Sequence, residues 1–128
     1  PRWTLQADSA AHQVSEGVTR IENIRLTFLD PKRGDVVLTA RQGTVIFDSR
    51  EVTLSEQVVV QHPQGYTLNT ERLQYHEASR LIESDAVVEM RSETGLKLTG
   101  RGLQLNVDDM TLRLLADVKA RVAGKGAR

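Results

Sequence analysis

Apolar residues along this chain alternate with polar ones instead of recurring every three or four places. Glu51-Val52-Thr53-Leu54-Ser55, Tyr66-Thr67-Leu68-Asn69-Thr70, Leu96-Lys97-Leu98-Thr99 and Leu103-Gln104-Leu105-Asn106-Val107 each turn one face toward oil and the other toward water. That is the period of a half-buried strand, and it leaves almost no room for helix. The alternating runs stop at turn chemistry: Asp30-Pro31-Lys32-Arg33-Gly34, His62-Pro63-Gln64-Gly65 and Ser92-Glu93-Thr94-Gly95. Proline presets the φ of a turn's second position and glycine accepts positive φ near its end, so these segments predict hairpin connections. Secondary reversals fall between them, near Asp48-Ser49-Arg50, Glu77-Ala78-Ser79 and Asp108-Asp109.

The strands also rhyme. Leu38, Leu68 and Leu98 are each followed two places on by a small residue, Ala40, Thr70 and Gly100, then by Val52, Ile82 and Leu112, and then by Val58, Val88 and Val118. A looser first copy sets Leu5, Ala7, Ile21, Leu26 and Phe28 against Leu38, Ala40, Val52, Val58 and Val60. A period of about 30 residues marks a stacked architecture, because one unit cannot bury its apolar face alone. Each unit reads as two strands and two turns, which predicts an all-β domain of about eight to ten antiparallel strands in an elongated sandwich or folded sheet. If that array does not close into a barrel, its first and last strands leave unpaired backbone groups, natural places for a partner to add a strand.

Composition narrows the picture. The 128 residues show no internal break, which fits one domain. A hydrophobic fraction of 39% with only 4% aromatic residues predicts a thin, aliphatic interior. The 17 basic and 17 acidic residues balance and are spread along strand faces rather than gathered in runs, which argues against nucleic acid as a partner. Without cysteine the fold needs neither disulfide nor thiolate metal. No apolar run approaches the about 18 residues of a membrane helix, and no signal peptide is present. The chain nevertheless opens at Pro1, without methionine and directly into a strand, as a processed or truncated product would.

Catalytic chemistry finds no foothold. His12, His62 and His76 stand at different phases of the repeat, without the spacing that puts two ligands on one metal. His62 reads as part of its turn and His76 as a solvated strand-end residue. Asp85, His76 and a serine make a triad only on paper, since no glycine elbow surrounds a serine. Asp108-Asp109 reads as a turn, not an acid/base pair. Gly100-Arg101-Gly102 is too short for a phosphate loop and precedes a strand, so it reads as a bulge. No cofactor is called for.

The segments Gly34 to Gly43, Val52 to Val60, Gly65 to Tyr75 and Leu98 to Leu103, together with the opening Trp3-Thr4-Leu5-Gln6-Ala7, resemble the periplasmic domain of the LptC family of lipopolysaccharide transport proteins. The related LptA proteins share the repeat. The resemblance runs to about Val122, and it rests on order and spacing. One departure is Glu56-Gln57, where the family often has glycine and asparagine; it implies a weaker bulge before Val58.

The resemblance implies a twisted, open β-jellyroll, a two-layer folded sheet whose interior slot shields acyl chains, spanning 1–128 with 123–128 as a flexible tail. It also implies a non-enzymatic protein of the periplasm, held to the inner membrane by an N-terminal helix that this sequence does not contain. The implied partners are lipopolysaccharide, an LptA-like protein at the C-terminal edge, and the jellyroll of an inner-membrane ABC transporter at the N-terminal edge. Edge pairing also allows homo-oligomers. For the slot, the residues at inward phase are Leu26, Phe28, Leu38, Val52, Leu54, Val58, Leu68, Leu73, Tyr75, Ile82, Val88, Met90, Leu98, Leu103, Leu105 and Leu114. Trp3, Leu5 and Ala7 mark one partner-binding edge; Leu112, Val118 and Val122 mark the other. Two alternatives share the pattern: a soluble LptA-like bridge protein, and a structural β-repeat domain with a filled core and no lipid.

Overall fold

The computed structural model describes residues 2–13, 15 and 17–122. The expected tail at 123–128 lies outside them. Among the described residues, alternation and turn chemistry produce nine strands: β1 (Arg2–Gln6), β2 (Ser9–Gln13), β3 (Val18–Leu29), β4 (Val36–Ile46), β5 (Glu51–His62), β6 (Tyr66–His76), β7 (Leu81–Ser92), β8 (Leu96–Asn106) and β9 (Thr111–Val122). All pair antiparallel in one sheet of order β1-β3-β4-β5-β6-β7-β8-β9, with β2 beside β1 on the same flank of β3. From β3 onward each strand pairs with its neighbours in sequence, so the sheet is a meander with two free edges.

The repeat is visible in the backbone. At one end of the meander the turns close on Gly34, Gly65 and Gly95, with φ of 99°, 93° and 94°. At the other end they close on Arg50, Arg80 and Met110, with φ of 57°, 59° and 60°. Glycine takes this left-handed region freely, whereas other residues pay roughly 1–2 kcal/mol. Asn106 helps to fold the last of these turns by accepting from the backbone N–H groups of Asp108 and Asp109 through Oδ1.

A second irregularity crosses the middle of the sheet. Register shifts interrupt every ladder from β4–β5 to β8–β9. Left-handed residues sit beside this line at Asn23, Glu56, Gln57, Gly102 and Asp117. Bulges of this kind bend a strand and increase its twist. At Gly43 a Cβ would stand 2.7 Å from the Thr53 carbonyl oxygen and 2.6 Å from Ile24 Cδ1, so the bend admits no side chain there. The bulge before Val58 therefore forms without the family's glycine and asparagine; Glu56 and Gln57 adopt φ of 67° and 55° instead. Both are exposed, so exchanging Glu56 for glycine should relieve strain at little other cost. We expect Glu56→Gly to stabilise the domain by about 1 kcal/mol, read as a rise of several degrees in thermal unfolding temperature.

Bent along this line, the sheet folds onto itself. Three strands separate β1 from β6 in the sheet, yet the Trp3 and Tyr75 rings meet edge to face at 6.2 Å. Phe28 and Tyr75 approach to 4.6 Å. Halves of strands from opposite ends of the meander thus face one another as two layers. Between them lies one aliphatic core that includes Ile21, Ile24, Leu26, Leu38, Val52, Leu54, Val58, Leu68, Leu73, Ile82, Val88, Leu103 and Leu105.

Candidate functional site

The inner face of the sheet is built in rows. Cross-strand register places Leu26 beside Leu38, Leu38 beside Val60, Val60 beside Leu68, Leu68 beside Met90, Met90 beside Leu98 and Leu98 beside Ala120. Beyond the bend, Val45, Val52, Tyr75, Ile82, Leu105 and Leu112 form a matching row. A repeat of about 30 residues with two strands per unit returns each leucine or valine to the same height on alternate strands, so the apolar rows run across the sheet along the length of the fold.

The rows are not equally covered. Leu26, Phe28, Leu38, Val52, Leu54, Val58, Leu68, Leu73, Tyr75, Ile82, Val88, Met90, Leu103 and Leu105 are buried. Leu98 and Leu114 are only half-buried. Along β9 the covering runs out: Leu112 is half-buried, Val118 is 50% exposed and Val122 is 67% exposed. The interior is close-packed through the middle strands and uncovered at the β9 end. Ile21, Ile24, Val36, Val45 and Val60 are equally buried and were missing from the inward set.

The other edge differs. Trp3 and Leu5 are half-buried against the core, but β1 ends at Gln6, so Ala7 belongs to the break before β2 and not to an edge strand. Trp3 Nε1 donates to Glu77 Oε1 at 3.2 Å, and the Tyr75 hydroxyl donates to the same oxygen at 2.6 Å. Arg80 donates to the Tyr75 hydroxyl through Nη1 and to Asp108 Oδ1 through Nε. Arg33 reaches across to the Asp108 backbone carbonyl. Burial, together with the neighbouring Glu77 carboxylate, pushes the Tyr75 phenol well above its usual range, so it acts as a hydrogen-bond donor at any physiological pH. This cluster ties β1, the β6–β7 turn, the β8–β9 turn and the β3–β4 turn together at one mouth of the fold. A cleft of about 650 Å³ lies beside it, lined by Trp3, Thr4, Leu29, Val45, Phe47, Arg50 and Glu77.

The histidines take structural roles. His62 closes its turn by accepting the Gln64 N–H through Nδ1 at 3.2 Å; its Nε2 is buried and has no hydrogen-bond partner among the described residues. Burial lowers its pKa. His76 is not the free solvated residue expected at a strand end: it lies between Glu51 at 3.2 Å and Glu83 at 2.7 Å on the flanking strands. The Glu51 hydrogen bond, and then Glu83, raise its pKa. A raised folded value gives stability that is complete below the unfolded value of about 6.5 and disappears as the pH climbs through the folded one. We expect the thermal-stability advantage of the parent over His76→Gln to be largest near pH 6 and to shrink above the folded pKa, as followed by circular dichroism melts. His62 has the opposite sign, since its neutral form is favoured by folding, so it weakens the fold as the pH drops below about 6.5.

Asp85 pairs with Arg72 at 2.9 Å and has no histidine beside it. Among the described residues no cluster of histidine and carboxylate could hold a metal ion, and no helix is long and apolar enough to cross a membrane.

Fold and inner face together define an open β-jellyroll: a meander folded into two layers over an apolar seam, with a strand at either end whose outer edge is free. A sequence profile described as lipopolysaccharide-assembly, LptC-related, matches residues 1–123, and the chain belongs to that family. Membership places it in lipopolysaccharide transport. In three dimensions it is similar to LptH from Pseudomonas aeruginosa, the LptA-homologous periplasmic component of the conserved lipopolysaccharide transport device, at a TM-score of 0.67 and 15% identity over 96% of both chains. At that identity the likeness speaks for the fold. No curated protein sequence matches the chain.

Proposed function

We propose that this protein is a carrier, not a catalyst: in the periplasm it receives lipopolysaccharide extracted by an inner-membrane ABC transporter, shields the acyl chains along its apolar seam, and passes them to a downstream jellyroll joined to β9. Its N-terminal edge, β1 with Trp3 and Leu5, meets the transporter's jellyroll, and a helix encoded upstream of Pro1 holds it to the membrane. The observation that carries this reading is the inner face, whose rows continue from the packed middle to half-buried Leu98, Leu112 and Leu114 and on to Val118 and Val122, which are exposed among the described residues.

The energetics suit the role. Exposing an acyl chain to water costs about 0.8 kcal/mol per methylene, so a chain of about a dozen carbons faces a barrier on the order of 10 kcal/mol. A continuous aliphatic surface removes most of it. Because the middle of the seam is filled by its own side chains, lipid engages at the uncovered β9 end first, and movement along the seam needs the two layers to part. A photo-crosslinking amino acid tests this. Placed at Leu98 or Val118 it should capture lipopolysaccharide, and placed at outward-facing Arg113 it should not. Capture confined to Arg113, or equal at all three, would refute a route along the inner face.

A further inference from the structure

The outer face of the last strands carries a feature invisible in the linear charge pattern. Arg91 of β7 stands directly opposite Lys97 of β8, and Lys97 directly opposite Arg121 of β9; one step along, Glu89 is in register with Thr99 and Thr99 with Lys119. Like charges facing each other across a ladder destabilise it. Glu89 answers only part of the charge, binding Lys97 at 3.0 Å and Arg91 at 3.1 Å, which depresses its own pKa. Lys119 and Arg121 are exposed and have no carboxylate partner among the described residues. Together with Lys97 and Thr99 they line a cleft of about 360 Å³ beside the free edge. In sequence, Val118 to Arg128 contains four basic residues and no acidic one.

We infer that this basic ladder selects the strand that docks on β9, admitting one whose outward positions carry carboxylates and turning away this chain's own first edge. The inference rests on β9 being a docking edge. Two observations carry it. An added strand would set its outward side chains beside Lys119 and Arg121, where opposite charges complete the ladder and neutral or basic ones leave it repelling. Arg2–Gln6 and Ser9–Gln13, among the described residues the only strands a second copy could offer at its opposite end, contain no aspartate or glutamate. The ladder therefore works against head-to-tail stacking of identical copies and in favour of a different, acidic partner. The cations lie on the outer face, away from the apolar seam, so a strand fits them better than the phosphates of a lipid whose chains occupy that seam.

Strand-length synthetic peptides test this against the whole protein. Two peptides share alternating valines on one face and carry glutamate or lysine on the other; binding is read by fluorescence anisotropy. The glutamate peptide should bind at least about tenfold more tightly, with an advantage that fades as salt is raised. A Lys119→Glu/Arg121→Glu variant, shown to be folded by its melting transition, should reverse the preference and begin to self-associate in sedimentation. Equal binding of both peptides would overturn the charge inference while leaving the edge intact. Binding of neither would remove the docking edge itself. Salt-dependent capture of lipopolysaccharide lost in the variant, without peptide discrimination, would assign the ladder to lipid phosphates and overturn the inference too.

Discussion

Leu54→Asp and Val88→Asp should each unfold the domain. Both side chains are essentially inaccessible to solvent, and each contributes about 1.5–3 kcal/mol by leaving water. An aspartate in either place forfeits that contribution and adds a desolvation cost of several kcal/mol inside an aliphatic cluster. Against a total stability of about 5–15 kcal/mol, the sum removes most of the margin. Circular dichroism should show loss of the cooperative transition, with lipid crosslinking lost alongside it. Leu54→Ala is the control: it should cost roughly 2–5 kcal/mol, lower the melting temperature and leave a folded protein. A folded Leu54→Asp that still carried lipid would contradict an inward Leu54.

The second large effect is selective. Deleting Thr111 to Arg128 removes β9, which pairs in the sheet only with β8 and is exposed along most of its length. The rest, β1 to β8, should keep a cooperative melt at reduced temperature, because Leu103 and Leu105 then become edge residues. Association with an LptA-like protein should fall below detection in a pull-down or by surface plasmon resonance. Retained association would move the downstream contact to another surface. The two outcomes separate a core role from an edge role, since the aspartate substitutions abolish everything whereas the deletion abolishes handover alone.

Much of this architecture was legible in the sequence because strand geometry is a period-two rule and the repeat forces it to recur. Leu38, Leu68 and Leu98 fall on one row for that reason, and the turns at Gly34, Gly65 and Gly95 close where proline and glycine chemistry placed them. What escaped notice required the third dimension. Glu51 lies 25 residues from His76 and Glu83 seven from it, and the three meet because β5, β6 and β7 are adjacent. Arg91, Lys97 and Arg121 look evenly dispersed along the chain and are neighbours across it. The bulge at Glu56-Gln57 shows a subtler limit: residue preference argued for a weaker distortion, but neighbouring strands bend along the same line and impose it on whatever side chains are present. Trp3 gave its apolar character away in sequence, though not its indole hydrogen bond to Glu77, which exists only once the sheet has folded over.

The meander has a kinetic corollary. Because each long strand finds its ladder partner immediately before or after it in the chain, contact order is low for an all-β protein, and loop-closure entropy is spent in small instalments. A polypeptide emerging from a narrow pore, amino end first, could zip up hairpin by hairpin, each new pair settling on a platform already formed. On this topology β9 is the last strand to find its place, so the edge proposed for handover would become available only after everything behind it is complete.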